Sequence, residues 1–485
     1  MRALGRFTVL SFLVCIKAPP ALSLYDTIVV GLGPAGATAA STLAKAGKRV
    51  LVLEAQDRID LIGLILDLYL VNVKPKCSLK RITKIFRIHG TENSRVYLAA
   101  VSNNVSVWEQ DINIQVYNSD GRPGNNSLIN ELLEFCTGVT DIKPDKSEGE
   151  GAYITRSLIN HLKQNHPDVL KDDYFINEFL EVMNVAITND YAANDWNDLN
   201  AKSTYTGLGG GERTTWHRYG YKTFFDILLN KYNNGPGFPT LDIKLNKEVV
   251  NIKWPQDSTG NVEVMCKDGD VYTANNVIVT VSLGVLKERY TNLFSPSLPE
   301  DKITAINKIS YGLIGKIILS FQEQWWKSNG YLFYYLPGDK EKFVNDTWLT
   351  KIRDVSTPAG SSNTITLWMA GDAESLPEYI VKNKAMKLLR QFLGKDMPIS
   401  EPTGIIRSTW FTNPFTRGTY SYDGLAMQEY PNARATLGEP LVDVAGTLKV
   451  LFAGEATDVS HFATVHGASD FGYREAMRIL NSTKN

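Results

Sequence analysis

Tyr25-Asp26-Thr27-Ile28-Val29-Val30-Gly31-Leu32-Gly33-Pro34-Ala35-Gly36 is the stretch that decides how this chain folds. Its first half is apolar and β-branched, which reads as a strand buried on both faces. Its second half is a G-x-G-x-x-G turn, and the Ala-rich run 37–46 that follows has helical character up to a stop at Gly47. Arg49-Val50-Leu51-Val52-Leu53 then reads as a second strand ending in Glu54, which completes a βαβ unit. Gly31 permits the tight turn, Gly33 lets backbone N–H groups approach a pyrophosphate, and Gly36 lets helix and strand pack closely. Ala35 belongs to the same turn, where the helix amino terminus attracts an anion. Glu54 stands where a carboxylate accepts hydrogen bonds from a ribose diol and repels a 2′-phosphate. The unit therefore points to FAD or NAD over NADP, with an ordinary strand-to-helix turn as the bland alternative.

Around this unit the chain has 485 residues, enough for two to four domains, and 43% hydrophobic residues, enough for real cores. Lys+Arg number 51 against Asp+Glu 52, so no basic excess exists to neutralise a phosphate backbone and nucleic acid is not an expected partner. The four cysteines, Cys15, Cys77, Cys136 and Cys266, show no metal-ligand spacing, and no metal is expected. Arg2 and Arg6 precede the apolar run 7–16, and Ala21-Leu22-Ser23 offers small residues for cleavage. Residues 1–23 thus read as a secretory signal, giving a secreted or lumenal protein without stable membrane insertion; an uncleaved anchor is the alternative. Sequons at Asn104, Asn125, Asn345 and Asn481 are about as many as chance gives.

Far along the chain, 448–452 is another apolar strand, followed by a loop and a helical stretch 467–480. Phe452-Ala453-Gly454-Glu455-Ala456-Thr457, Thr464-Val465-His466-Gly467-Ala468 and Arg474-Glu475-Ala476 resemble the segment that closes the FAD site in flavin-containing amine oxidases, closest to the animal-type polyamine (spermine) oxidases. The stretches 245–250, 268–269, 277–287 and 293–294 resemble the same family's second cofactor segment, so the resemblance spans most of the chain. It implies FAD in place of NAD. Val249 then meets adenine through its backbone, and Gly454, Glu455, Thr464 and Val465 form part of the cofactor wall. No cysteine stands at the closing segment for a covalent link, so the FAD is expected to be noncovalent.

The block 311–321 resembles the strand that carries the family's active-site lysine, which holds a water against flavin N5, and that position is Lys316 here. A lysine interrupting an apolar strand is unusual, because burying an ammonium is costly; the alternative is an edge strand with Lys316 turned to solvent. Trp410, the run 414–420 and Tyr422 resemble the stretch that lays an aromatic ring over the reacting face, which makes Tyr422 a wall of the substrate cage or, alternatively, a core aromatic. His89-Gly90 echoes a W-x-H-G element whose His contacts the amine in animal members. Thr464 matches the animal branch, since plant members carry a second ring there. In this family hydride passes from the carbon beside a secondary amine to flavin N5, the imine hydrolyses to an aldehyde and a shorter amine, and O₂ is reduced to H₂O₂. Polyamine, spermine or an acetylated relative, is the implied substrate; an oxidase of other amines or L-amino acids is the rival.

The resemblance breaks after Glu54. The family continues E-x-x-x-R-x-G-G-R, whereas this chain keeps Arg58 and then reads Asp60-Leu61-Ile62-Gly63, with residues 59–87 foreign to the pattern. Branched side chains and an acid replace a glycine pair that hugs phosphates, so FAD affinity is expected to fall, and a catalytically impaired flavoprotein-like chain is a further rival. The fold implied is α/β: a Rossmann-like FAD-binding domain assembled from 24–95, 235–300 and 425–485, with an α+β substrate-binding domain filling 96–234 and 301–424. Helices are expected around 128–135, 158–162 and 382–393, a strand at 364–369, and a flexible turn at Gly207-Leu208-Gly209-Gly210-Gly211. Neither a nucleophile elbow nor a P-loop occurs.

Overall fold

The computed structural model describes residues 24–59, 87–211, 214–216, 220–358, 361–370 and 373–482. The expected signal segment and most of the foreign stretch, 60–86, lie outside the described residues.

Strand Tyr25–Val30 lies in the middle of a nine-stranded sheet. On one side it pairs in parallel with Val50–Leu53, which pairs in parallel with Leu241–Lys244. On the other it pairs in parallel with the long strand Val271–Val279. That strand forks. Its first half joins an antiparallel meander with Val262–Cys266 and Val249–Lys253, and its second half pairs in parallel with Leu448–Phe452. Packing on both faces explains why the central strands Tyr25–Val30 and Val50–Leu53 are buried almost throughout, whereas the outer strands Leu241–Lys244 and Val262–Cys266 alternate. Ile28 and Val30 enter one core with Val249, Phe294 and Phe452, while Val29 enters another with the small residues of helix Pro34–Lys45 and the closing helix Val465–Ser482. The two helices meet so closely that a Cβ on Gly472 would lie 2.1 Å from the carbonyl oxygen of Ala35.

The second domain is a six-stranded sheet in the order Gly404–Arg407, Ile314–Ser320, Thr364–Ala370, Asp354–Ser356, Gly330–Tyr334, Ile114–Asn118. Alternation is clean along Gly330–Tyr334: Tyr331 and Phe333 face helix Glu378–Leu393, whereas Leu332 and Tyr334 face the helices Asn126–Thr140, Glu150–Asn165 and Asp173–Tyr191. Every strand of the first sheet comes from 24–95, 235–300 or 425–485, and every strand of the second from the intervening stretches. One boundary needs correction. Helix Lys222–Leu228 was expected in the substrate domain, yet Phe225 packs among the alanines of Pro34–Lys45 and Phe224 packs with Ile88 and Val96. Two adjacent phenylalanines on a short helix bury toward different neighbours, so this helix belongs to the nucleotide-binding side.

Candidate functional site

A cavity of about 1000 Å³ runs between the two domains. Its floor begins at the glycine turn. Gly31 has φ +99°, a left-handed conformation that a side chain resists, and a Cβ on Gly36 would lie 2.1 Å from the Gly31 carbonyl oxygen. Thr280 fixes the turn by donating from Oγ1 to the carbonyls of Val30 and Gly31. Gly33, by contrast, has nothing within 4 Å of where its Cβ would be, because it faces the cavity that Ala35 also lines. As N-cap of helix Pro34–Lys45, Gly33 offers no side-chain cap, so the first-turn N–H groups stay available to an anion.

Glu54 borders the same cavity and is buried. Its Oε2 accepts from Leu32 N–H at 2.8 Å and its Oε1 from Gln56 N–H at 2.9 Å. Burial raises its pKa above the usual carboxylate value, and the two N–H donors and Arg58 pull the other way. Val249, at the start of its strand, lines the cavity, and so do Gly454, Glu455, Thr464 and Val465. Glu455 is held from three directions, accepting from Ser421 N–H and Oγ and from Ala463 N–H. Thr464 Oγ1 donates to the His461 carbonyl and accepts from Gly467 N–H, which caps the start of the closing helix. An open glycine turn, an uncapped helix terminus and a buried acid at one end of a long cavity fit the pyrophosphate and ribose of FAD.

Lys316 lies toward the other domain. Its strand, Ile314–Ser320, is buried at every position and sits between Gly404–Arg407 and Thr364–Ala370, so the edge-strand alternative does not hold. Register places Lys316 opposite Trp368, and Ser408 grips its backbone on the other side, N–H to Oγ at 2.9 Å and Ser408 N–H to the carbonyl at 3.0 Å. The Lys316 ammonium lies 4.3 Å from the Trp368 ring centre and 5.7 Å from that of Trp410, and all three side chains line the cavity. Aromatic faces stabilise a cation where water is scarce. The pairing Lys316–Trp368 joins residues far apart in sequence, and nothing in the local pattern announces it.

Two expected site residues are placed elsewhere. Tyr422 does not border the cavity: it pairs with Ser310 in a two-stranded sheet and packs with Trp196 and Leu199 among the helices of the second domain. Tyr420 takes the wall position instead, its hydroxyl donating to the carbonyls of Asn189 and Asp190. The motif identified the stretch, but the backbone decides which of two nearby tyrosines turns inward. Arg58 is likewise not a lining residue; its guanidinium donates to Gln56 Oε1 at 2.8 Å, close to the point where the foreign sequence begins.

His89 lines the cavity from an exposed position. It sits beside Gly90, whose φ of +79° and lack of Cβ let the chain press against Leu208. The glycine-rich loop 207–211 is therefore docked, not a free turn: the N–H groups of Thr91 and Glu92 both donate to the Gly209 carbonyl at 2.9 Å. Behind this lip His466 is buried, and burial first, then His461 and His89, lower its pKa to about 3, so its ring is neutral. Tyr191, Tyr205, Asp141 and Asp190 complete the wall, with Lys143. The neighbouring cations Lys247 and Arg289 are already paired, Lys247 with Asp268 and Asp270, and Arg289 with Glu248.

Known proteins bear on this geometry. Residues 29–60 match the NAD(P)-binding Rossmann-like domain, and residues 117–480 match the family described as flavin containing amine oxidoreductase. A bovine relative named peroxisomal N(1)-acetyl-spermine/spermidine oxidase is 32% identical over 373 residues, covering 73% of this chain and 71% of that one. The human protein of the same name is 36% identical over 256 residues, half of each chain, and a probable polyamine oxidase 5 of Arabidopsis thaliana is 31% identical over 330 residues, covering 58% of that protein. The chain thus spans about half to seven tenths of the length of these relatives. A glycine turn and ribose acid at one end of the cavity, a lysine boxed by tryptophans at the other, and family matches at both ends of the chain converge: this protein belongs to the flavin-containing amine oxidoreductase family, and its cofactor is FAD.

Proposed function

We propose that the protein oxidises a polyamine, spermine or an acetylated relative, at a carbon next to a secondary amine. The products are an aldehyde, a shorter amine and H₂O₂. Two electrons and two hydrogens leave the C–N unit for O₂, water adds to the carbon, and the carbon–nitrogen bond breaks. FAD, when bound, supplies the two-electron acceptor chemistry. The chain's own residues bind and orient. The observation that carries this reading is the Lys316 ammonium set against Trp368 and Trp410 in the same cavity that the glycine turn and Glu455 line.

Lys316 holds a water at the reacting end, and the aromatic walls exclude bulk water, which favours the uncharged amine that can release hydride. Asp141 and Asp190, with Tyr191, Tyr205 and Tyr420, give the remaining ammonium groups of a polyamine their partners, and His89 contacts the amine from the lip. The relatives' names agree with this substrate class.

Peroxide release measured with spermine, N1-acetylspermine, spermidine, a monoamine and L-amino acids tests the proposal. Turnover with the polyamines alone is expected; a preference for L-amino acids would overturn it, and silence with all five at full FAD occupancy would favour the impaired-flavoprotein rival.

We further propose a secreted or lumenal location. The basic-then-apolar residues 1–16 and small residues 21–23 support it, and the asparagines of all four sequons are exposed. Enzymatic removal of N-glycans should shift the mobility of protein made in a secreting eukaryotic cell, and unglycosylated protein confined to the cytosol would contradict it.

A further inference from the structure

On the far side of helix Asn126–Thr140 from its cavity-lining residues, two histidines and an acid from separate helices converge. His161 belongs to helix Glu150–Asn165 and His166 is the residue that ends it, while Glu131 projects from Asn126–Thr140. One ligand atom from each lies within 4.8 Å of the other two. His166 Nε2 is 2.6 Å from Glu131 Oε1, and His161 Nε2 is 3.7 Å from the same oxygen. This last nitrogen is buried and makes no hydrogen bond. The buried nitrogen faces the Glu131 carboxylate at ion-pair distance with no hydrogen bond closing the gap.

We propose that Glu131, His161 and His166 bind one divalent transition-metal ion of the zinc type. Two imidazoles and a carboxylate are a ligand set zinc accepts, at about 2.0–2.2 Å from each, with a fourth position left to water. Donors around a tetrahedral ion at such distances stand roughly 3.4 Å apart; the two histidine-to-carboxylate separations of 2.6 and 3.7 Å bracket that figure, and all three ligand atoms lie within 4.8 Å of one another. Phe135 stacks on the His161 ring at 4.0 Å and fixes its plane. Asn165 Nδ2 donates to the His161 carbonyl at 3.1 Å and lies 3.2 Å from His161 Nδ1, so the amide holds the ring from the side away from Nε2. Calcium and magnesium, which want oxygen ligands, do not suit this set.

The ion would staple two helices together. One of them, Asn126–Thr140, also presents Leu133, Thr137 and Thr140 to the catalytic cavity.

The test is calorimetric titration of the untagged FAD-loaded protein with zinc chloride, repeated with cobalt chloride while the visible absorption of the metal is followed. One ion per chain is expected, with a tetrahedral cobalt spectrum, and an affinity at least tenfold weaker in Glu131→Gln and in His166→Ala. Unchanged flavin absorbance and far-ultraviolet circular dichroism keep misfolding out of the comparison. Equal binding by wild type and both variants, or no binding by wild type, would overturn the assignment.

Discussion

Lys316 is the residue on which the proposed chemistry turns, and its surroundings say how a substitution will behave. The strand around it is buried, so Lys316→Met places an isosteric apolar chain in an apolar setting between Trp368 and Trp410 and leaves the fold and flavin content intact. Positioned proton-handling groups contribute roughly 10²–10⁴-fold in rate. Stopped-flow flavin reduction by a substrate amine should slow by about that factor; an unchanged rate would remove Lys316 from the reaction. A second residue predicts a pH effect. Glu150 is buried at the start of its helix, and burial, opposed by Lys143, pushes its pKa up from 4.5 to about 7. The folded form therefore holds its proton more tightly than the unfolded form does. Stability is greatest below the unfolded value of 4.5 and falls as pH rises to about 7, by up to roughly 3 kcal/mol in total. Glu150→Gln should flatten that decline in urea unfolding measured at pH 5 and pH 8.

At the scale of elements, the site is assembled by a buried ion pair where three stretches of chain meet. Arg434, on helix Ala433–Gly438, pairs with Asp423 at 2.9 Å, donates to Ser421 Oγ and the Ala456 carbonyl, and lies 3.6 Å over the Phe462 ring. Asp423 also accepts from Ser203 and Thr204, which ties in the stretch leading to the glycine-rich lip. Burial opposes its charge, yet Arg434 and the Thr204 N–H outweigh burial and keep the carboxyl below its usual range. Ser421, held by Arg434, in turn holds Glu455 on the cavity wall. Asp423→Ala leaves a guanidinium buried without its acid, so a loss of about 3–5 kcal/mol is expected, readable as a lowered urea midpoint. Flavin should dissociate earlier in the same titration, because the Glu455 wall loosens with it.

For the whole molecule, cofactor retention is the quantity to watch. Residues 59–87 depart from the family's glycine-rich continuation, and the family matches cover 29–60 and 117–480 but not the stretch between. Purified protein is expected to carry less than one FAD per chain by its visible absorbance and to gain it on incubation with excess FAD; full occupancy as isolated would refute the weakened site. The βαβ unit, the cofactor type and the family were legible in the sequence because they rest on local rules. A glycine is required where φ is positive or a Cβ would collide, as at Gly31 and Gly36, and apolar runs announce strands buried on both faces. Lys316 was legible because an ammonium in such a run contradicts its neighbours. Trp368 opposite Lys316, Tyr420 in place of Tyr422, and Phe225 on the nucleotide-binding side were not. Each depends on strand register or on the docking of segments hundreds of residues apart, and sequence spacing carries no record of either. Local chemistry thus dictated the cofactor and the lysine that lines the cavity, while tertiary packing alone selected which aromatic rings surround them.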